Sequence, residues 1–178
     1  MRRRSVLLAI AVLAAGLLVA SLAGAAGGKK NLKADALTGY QENPDVSTAA
    51  TGSFTATIDD GAQTITYKLS YSGIEGGTAF AAHIHFGKRA VNGGVSAFLC
   101  GGGDKPACPA TEGTVSGVID AADVIGPAVQ GIGLGEFDEL VAALRAGHTY
   151  ANVHSMGADP AWPGGEIRAQ INDRDANN

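Results

Sequence analysis

Apolar and polar positions alternate along much of this chain, and the alternation has the two-residue period of β-strands. In residues 53–59, Phe54, Ala56 and Ile58 share one face while Thr55 and Thr57 share the other. Asp60-Gly61 follows as a hairpin turn signal. Residues 64–72 resume the pattern with Ile65, Tyr67, Leu69 and Tyr71 on one side. In residues 80–86 the spacing sends Phe80, Ala82, Ile84 and Phe86 one way and Ala81, His83 and His85 the other. Further strands are predicted at 32–40, 95–100, 114–120, 149–155 and 166–172, the last with Ile167, Ala169 and Ile171 inward. The period changes at 137–146, where Phe137, Leu140, Val141 and Leu144 fall at i, i+3, i+4 and i+7 and Gly147 follows as a C-terminal cap. Many short strands, one helix and no crossover helices predict an all-β fold, an antiparallel Greek-key sandwich or barrel with one short helix.

The N-terminus breaks the alternation. Arg2, Arg3 and Arg4 precede an unbroken apolar run over residues 6–20, and small residues follow at Ala23 and Ala25. This is the layout of a signal peptide spanning residues 1–25. The run of about 15 residues is shorter than the roughly 20 that a spanning helix requires. Arg3-Arg4-Ser5-Val6-Leu7 has some likeness to a twin-arginine signal. An ordinary secretory signal with a basic start explains the same residues. Residues 26–31 are expected to form a leader, 32–173 the domain and 174–178 a tail. Cleavage removes three arginines from a chain whose formal net charge is −4, so the exported part is more acidic still. An acidic domain without basic clusters points away from nucleic acid. No second apolar run follows, so no membrane contact is expected after cleavage, and the expected place is extracellular, periplasmic or in the cell envelope.

Two cysteines, Cys100 and Cys108, flank a loop containing Gly101, Gly102 and Gly103. Their spacing is wrong for a C-x-x-C redox pair, and an oxidising compartment favours a structural disulfide between them.

All four histidines lie in or beside two strand segments: His83 and His85 in one, His148 and His154 in the other. A His-x-His on a strand places both rings on one face, about 7 Å apart at Cβ. His148 and His154 also share parity. If the two strands pair, His83, His85 and His154, with His148 as a further candidate, can make a copper or zinc site. The competing reading makes the histidines architectural, in a buried polar network with Glu166, Arg168 and Asn152.

Catalytic constellations are weak. No Gly-x-Ser-x-Gly elbow precedes a helix, and Ser155 points away from the adjacent His154. Gly101-Gly102-Gly103 lacks the Lys-Ser or Lys-Thr and the helix of a phosphate loop. Asp138-Glu139 suits the positive start of the predicted helix. No catalytic residue is assigned on these grounds.

Three motifs appear in order: Gly39-Tyr40-Gln41-Glu42-Asn43-Pro44; Ala82-His83-Ile84-His85-Phe86-Gly87; and Tyr150-Ala151-Asn152-Val153-His154-Ser155 followed by Gly165-Glu166-Ile167-Arg168-Ala169-Gln170-Ile171. Together they resemble the CHRD (chordin) domain family over roughly residues 32–172, in its secreted, bacterial-type, stand-alone form. Ala169 stands where that family usually has Gly. The resemblance implies an immunoglobulin-like or superoxide-dismutase-like β-barrel. Its His-x-His is similar to the copper ligands of copper/zinc superoxide dismutase, although that family's zinc-binding loop is not found in this chain. The expectation is a non-enzymatic extracellular or envelope domain that binds a partner or supports a surface assembly. The alternative is a secreted copper- or zinc-binding protein, with dismutase-like redox chemistry as its further extension.

Overall fold

The computed structural model describes residues 29–173. The expected signal peptide, residues 26–28 of the leader and the tail at 174–178 lie outside the described residues. The element order is β1 (Lys30–Thr38), β2 (Thr51–Asp59), β3 (Thr64–Ser72), β4 (Gly77–Phe86), β5 (Gly94–Cys100), β6 (Gly113–Ile119), α1 (Phe137–Arg145), β7 (Thr149–Gly157), β8 (Ile167–Gln170) and β9 (Asn172–Asp173).

All pairings are antiparallel, in the order β5-β4-β7-β8-β1-β2-β3-β6, with β9 added beside β1. The end strands β5 and β6 lie against each other, so the sheet curls into a nearly closed barrel. The Tyr67 hydroxyl of β3 crosses the interior and donates to the Leu99 carbonyl of β5 at 2.6 Å. The chain runs through β4, β5 and β6, and β7 then returns to pair with β4, which is the Greek-key connection. The fold is therefore the all-β class that the alternation predicts.

The inward positions form one continuous core. Phe54, Ile58, Ile65, Leu69, Ile84, Leu99, Ala151, Val153, Ile167 and Ile171 are all fully or almost fully buried in it. The β2–β3 hairpin keeps register from Thr51↔Ser72 to Asp59↔Thr64, with the turn at Asp60–Gln63 between. Helix α1 adds Phe137, Leu140, Val141 and Leu144 to the core, the four positions its period picks out. Each such burial contributes about 2 kcal/mol. Gly147 takes φ +69°, and the N–H groups of Gly147 and His148 bond back to the carbonyls of Leu144 and Ala143, ending the helix. The Cys100–Cys108 disulfide is formed, at a Cα separation of 5.1 Å.

Some details differ from the pattern-based reading. The single strand predicted at 166–172 is divided at Ile171 into β8, which pairs with β7, and β9, which pairs with β1. β1 starts at Lys30, because Lys30 and Asn31 already pair with Ile58 and Thr57 on β2. It stops at Thr38, so Tyr40 sits in a 3-10 turn and is 72% exposed. Phe80 does not follow Ala82 and Ile84 inward. A register shift between Ala79 and Ala81 in the β4–β7 ladder inserts a residue, and the Phe80 side chain turns toward His154 on the opposite face.

A candidate metal pocket on the covered face of the barrel

β4, β7 and β8 each bury one face in the core and carry polar residues on the other. Opposite that core, the ladder pairs His85 with Tyr150 and His83 with Asn152, then Tyr150 with Gln170 and Asn152 with Arg168. His154 lies opposite Ala81, one step along from the His83–Asn152 pair. An outward sheet face normally meets water, yet none of these polar side chains is more than 9% exposed. Three loops cover them. They bring Gln41 and Glu42, then Val91 to Gly93, then Pro163 over the strands.

The strand geometry converges three imidazoles. His83 Nδ1 lies 2.9 Å from His154 Nε2, and His85 Nε2 lies 3.3 Å from the same atom. One nitrogen from each of the three falls within 4.8 Å of the others. His85 Nδ1 donates to the Gly93 carbonyl at 3.0 Å, and His154 Nδ1 donates to the Pro163 carbonyl at 3.1 Å. A carbonyl oxygen only accepts, so both Nδ1 atoms carry hydrogen. In a neutral ring the Nε2 atom then presents a lone pair.

The rings are held neutral. Burial pushes His83 down to about 3, with the neighbouring His154 and His85 adding to the effect. Burial likewise pushes His154 down to about 4, reinforced by His85 and opposed by the Pro163 hydrogen bond. His85 is lowered by burial, against the effect of its bond to Gly93. Two lone pairs therefore face each other across 3.3 Å, and His83 has one Nδ1–H with which to satisfy one of them. This is an electron-rich pocket short of a positive centre.

The donor set fits a borderline metal ion. Zinc–imidazole bonds of about 2.0 Å at tetrahedral angles separate the nitrogens by about 3.3 Å, close to the 2.9 Å and 3.3 Å that separate His154 Nε2 from His83 and His85. Histidine ligands typically give their second ring N–H to a backbone carbonyl or carboxylate, as His85 and His154 do. The cluster includes no thiol or carboxylate among the described residues. The walls are aromatic. Tyr150 stacks on His85 with centroids 4.8 Å apart and planes 4° apart, Phe98 meets His83 edge-on at 4.6 Å, and Phe80 lies 6.1 Å from His154.

His148, grouped with the others by parity, stands apart from them and is exposed just before β7 begins. Six residues of strand span about 20 Å, too far for a shared ion. Asn152 and Arg168 do form a buried network, but its carboxylate is Glu42. Asn152 Nδ2 donates to Glu42 Oε1 at 2.7 Å and to the Ile167 carbonyl, and Arg168 Nε lies 3.9 Å from Glu42 Oε2. Arg168 also donates to the carbonyls of Gln41 and Val91 and to Asn92 Oδ1. Burial raises Glu42 to about 7 despite Arg168 and Asn152. Glu166 points elsewhere, accepting from Thr48 Oγ1 and the backbone N–H groups of Glu75 and Gly76. Gly165 is confined to glycine at φ +133°, since a Cβ there would sit 2.6 Å from Asn152 Nδ2 and 2.7 Å from Glu42 Oε1.

Glu42 and Tyr150 sit in two of the motifs, but nothing local in the sequence marks them as neighbours of the histidines. The carbonyls of Gly93 and Pro163 carry no side-chain signal at all. A surface groove of about 670 Å³ lies elsewhere, lined by Asp35, Thr51, Ser70 and Glu112 among others, and holds no converging imidazoles. The converging imidazoles make the histidine pocket the candidate site, and groove size does not.

The fold and the pocket together define an antiparallel β-barrel domain with a loop-covered three-histidine cluster. The chain belongs to the CHRD domain family, whose model matches residues 34–171. No curated protein and no solved structure matches the chain.

Proposed function

We propose that this chain is an exported CHRD domain that holds a copper- or zinc-type ion through His83, His85 and His154. The observation that carries the reading is the pair of Nε2 lone pairs of His85 and His154, set 3.3 Å apart by Nδ1 bonds to Gly93 and Pro163. Export is supported by the basic and apolar N-terminal pattern and by the disulfide. Among the described residues no helix is long and apolar enough to cross a membrane. Three neutral nitrogen donors suit copper and zinc better than the hard cations, which prefer oxygen.

A second reading keeps the histidines architectural and makes the domain a non-enzymatic binding or structural module for an extracellular protein or surface component. The 2.9 Å contact between His83 and His154 favours it, since one proton shared there satisfies part of the cluster.

One experiment separates the two. Purified metal-free protein is titrated with copper and with zinc, and the bound metal is counted by elemental analysis. The metal reading expects one ion per chain and a stabilisation of about 2.7 kcal/mol at a hundredfold excess over Kd. It expects both to vanish in His85→Ala. A wild-type protein that binds neither ion, with an unshifted melting temperature, leaves the architectural reading.

A further inference from the structure

We propose that Tyr150 is the positioning residue of this pocket, setting both the plane and the tautomer of His85. The inference rests on the metal reading above and adds to it a residue that is not a ligand.

Tyr150 and His85 are directly paired across β7 and β4, and their rings stack almost parallel. The Tyr150 hydroxyl accepts the Gly93 N–H at 3.1 Å, and the carbonyl of the same Gly93 accepts His85 Nδ1 at 3.0 Å. These contacts close a circuit. The phenol fixes the histidine's face through its ring, and through its oxygen it fixes the loop residue whose carbonyl keeps hydrogen on Nδ1. With hydrogen held there, the Nε2 lone pair of His85 is left aimed at His154.

Arg168 tightens the same circuit from the far side. Its guanidinium lies 4.6 Å from the centre of the Tyr150 ring, and Nη1 donates to Val91 O and Asn92 Oδ1 in the loop that leads to Gly93. His154 has no such clamp. Its neighbour Phe80 is tilted by 54° at 6.1 Å, and Phe80 has no polar atom to tie the Pro163 loop. The pocket therefore has one ligand, His85, stacked and tied by its neighbours, and another, His154, held by the Pro163 carbonyl and its contact with His83.

Partners that orient a metal-ligating histidine typically change metal affinity by about 10- to 100-fold when removed. Tyr150→Phe keeps the stacked ring and removes only the oxygen that holds Gly93.

The test uses imidazole nitrogen NMR on the metal-free full chain, followed by copper binding and electron paramagnetic resonance. Wild type is expected to show His85 as a single Nδ1–H tautomer. Tyr150→Phe is expected to show a mixture at His85 with His154 unchanged, copper binding weakened by about tenfold, and an altered copper spectrum. Tyr40→Phe, at an exposed tyrosine, is the control expected to change nothing. An Nε2–H tautomer at His85 in wild type overturns the proposal, however the variant behaves. An unchanged His85 tautomer and copper spectrum in Tyr150→Phe overturns it equally. Failure of wild type to bind any metal removes the metal reading alone, because the tautomer is measured without metal.

Discussion

Two parts of the barrel's outer surface are built by the same alternation and end in opposite environments. On β2, β3 and β6, Thr55, Thr57, Thr66, Lys68, Thr114 and Ser116 point outward and keep contact with solvent. On β4, β7 and β8, His83, His85, Tyr150, Asn152, His154 and Arg168 also point away from the core, yet they are buried. The difference lies in the connections. A tight turn joins β2 to β3 and leaves no chain to fold back over them. Longer segments after β1, β4 and β7 cross the other face and bring carbonyls and Glu42 down onto it. A polar residue on a strand face is cheap under water. Under a loop it must be paired, neutralised or given a ligand.

The comparison breaks most sharply at Arg168. Arg168→Ala leaves Glu42 buried without its cation and strips the donor from the Gln41 and Val91 carbonyls. The expected cost is about 3–5 kcal/mol in urea unfolding. Lys68→Ala on the open face is expected to change stability by less than about 0.5 kcal/mol. Equal effects at the two sites would mean that the loops do not seal the covered face.

Removing the disulfide tests whether the β5 end of the covered side needs its own brace. Phe98, which packs on His83, lies on the strand that ends at Cys100. Replacing both cysteines with serine is expected to cost about 2.5 kcal/mol, from the entropy of an opened loop of this size. A loss well below 1 kcal/mol would show the loop to be held without it, by contacts such as the Lys105–Asp123 ion pair.

Acid acts on the covered face in two opposing ways. His83 and His154 have folded pKa values depressed to about 3 and about 4, so their neutral burial contributes fully above the unfolded value of 6.5. That contribution is lost as pH falls toward 4 and then 3. Glu42 has its folded pKa raised to about 7, so its contribution is full below the unfolded value of 4.5 and is lost as pH rises through 7. Between pH 7 and 4.5 the two histidines together outweigh the one glutamate. The metal-free protein should lose on the order of 2 kcal/mol over that range, since each proton bound on unfolding changes stability by about 1.4 kcal/mol for every step of one in pH. Glu42→Gln removes the opposing effect, so its stability should fall more steeply on acidification than that of wild type. Parallel curves for the two proteins, measured by urea unfolding at several pH values, would show that Glu42 does not titrate in this window.

The smallest effect is expected at the Ser70–Thr114 hydroxyl pair of the open face, which is 2.8 Å apart and exposed. Ser70→Ala should cost no more than about 0.5 kcal/mol and leave copper binding unchanged. A larger loss would mean that this face is ordered by more than its strands.

Much of this was legible one strand at a time. His83 and His85 share a side because a strand alternates, and that needs no partner. Phe137, Leu140, Val141 and Leu144 were assignable to a buried helical stripe by spacing alone. His148 misled for the same local reason: it shares parity with His154 but lies too far along the chain to share a pocket. Phe80 misled because a β-bulge reverses parity without a clear signal in the residues around it. Glu42 lies far from Asn152 in sequence and meets it only after β7 and β8 have paired and the loop after β1 has folded over them.

The amino-acid sequence alone determined the strand periods, the helix, the cysteine pair and the side on which each strand histidine points, because these follow from backbone geometry and near neighbours. The tertiary structure decided which strands lie side by side, which face the loops cover and which carbonyls orient His85 and His154. Those outcomes depend on burial summed over the whole chain, and no short segment contains that sum.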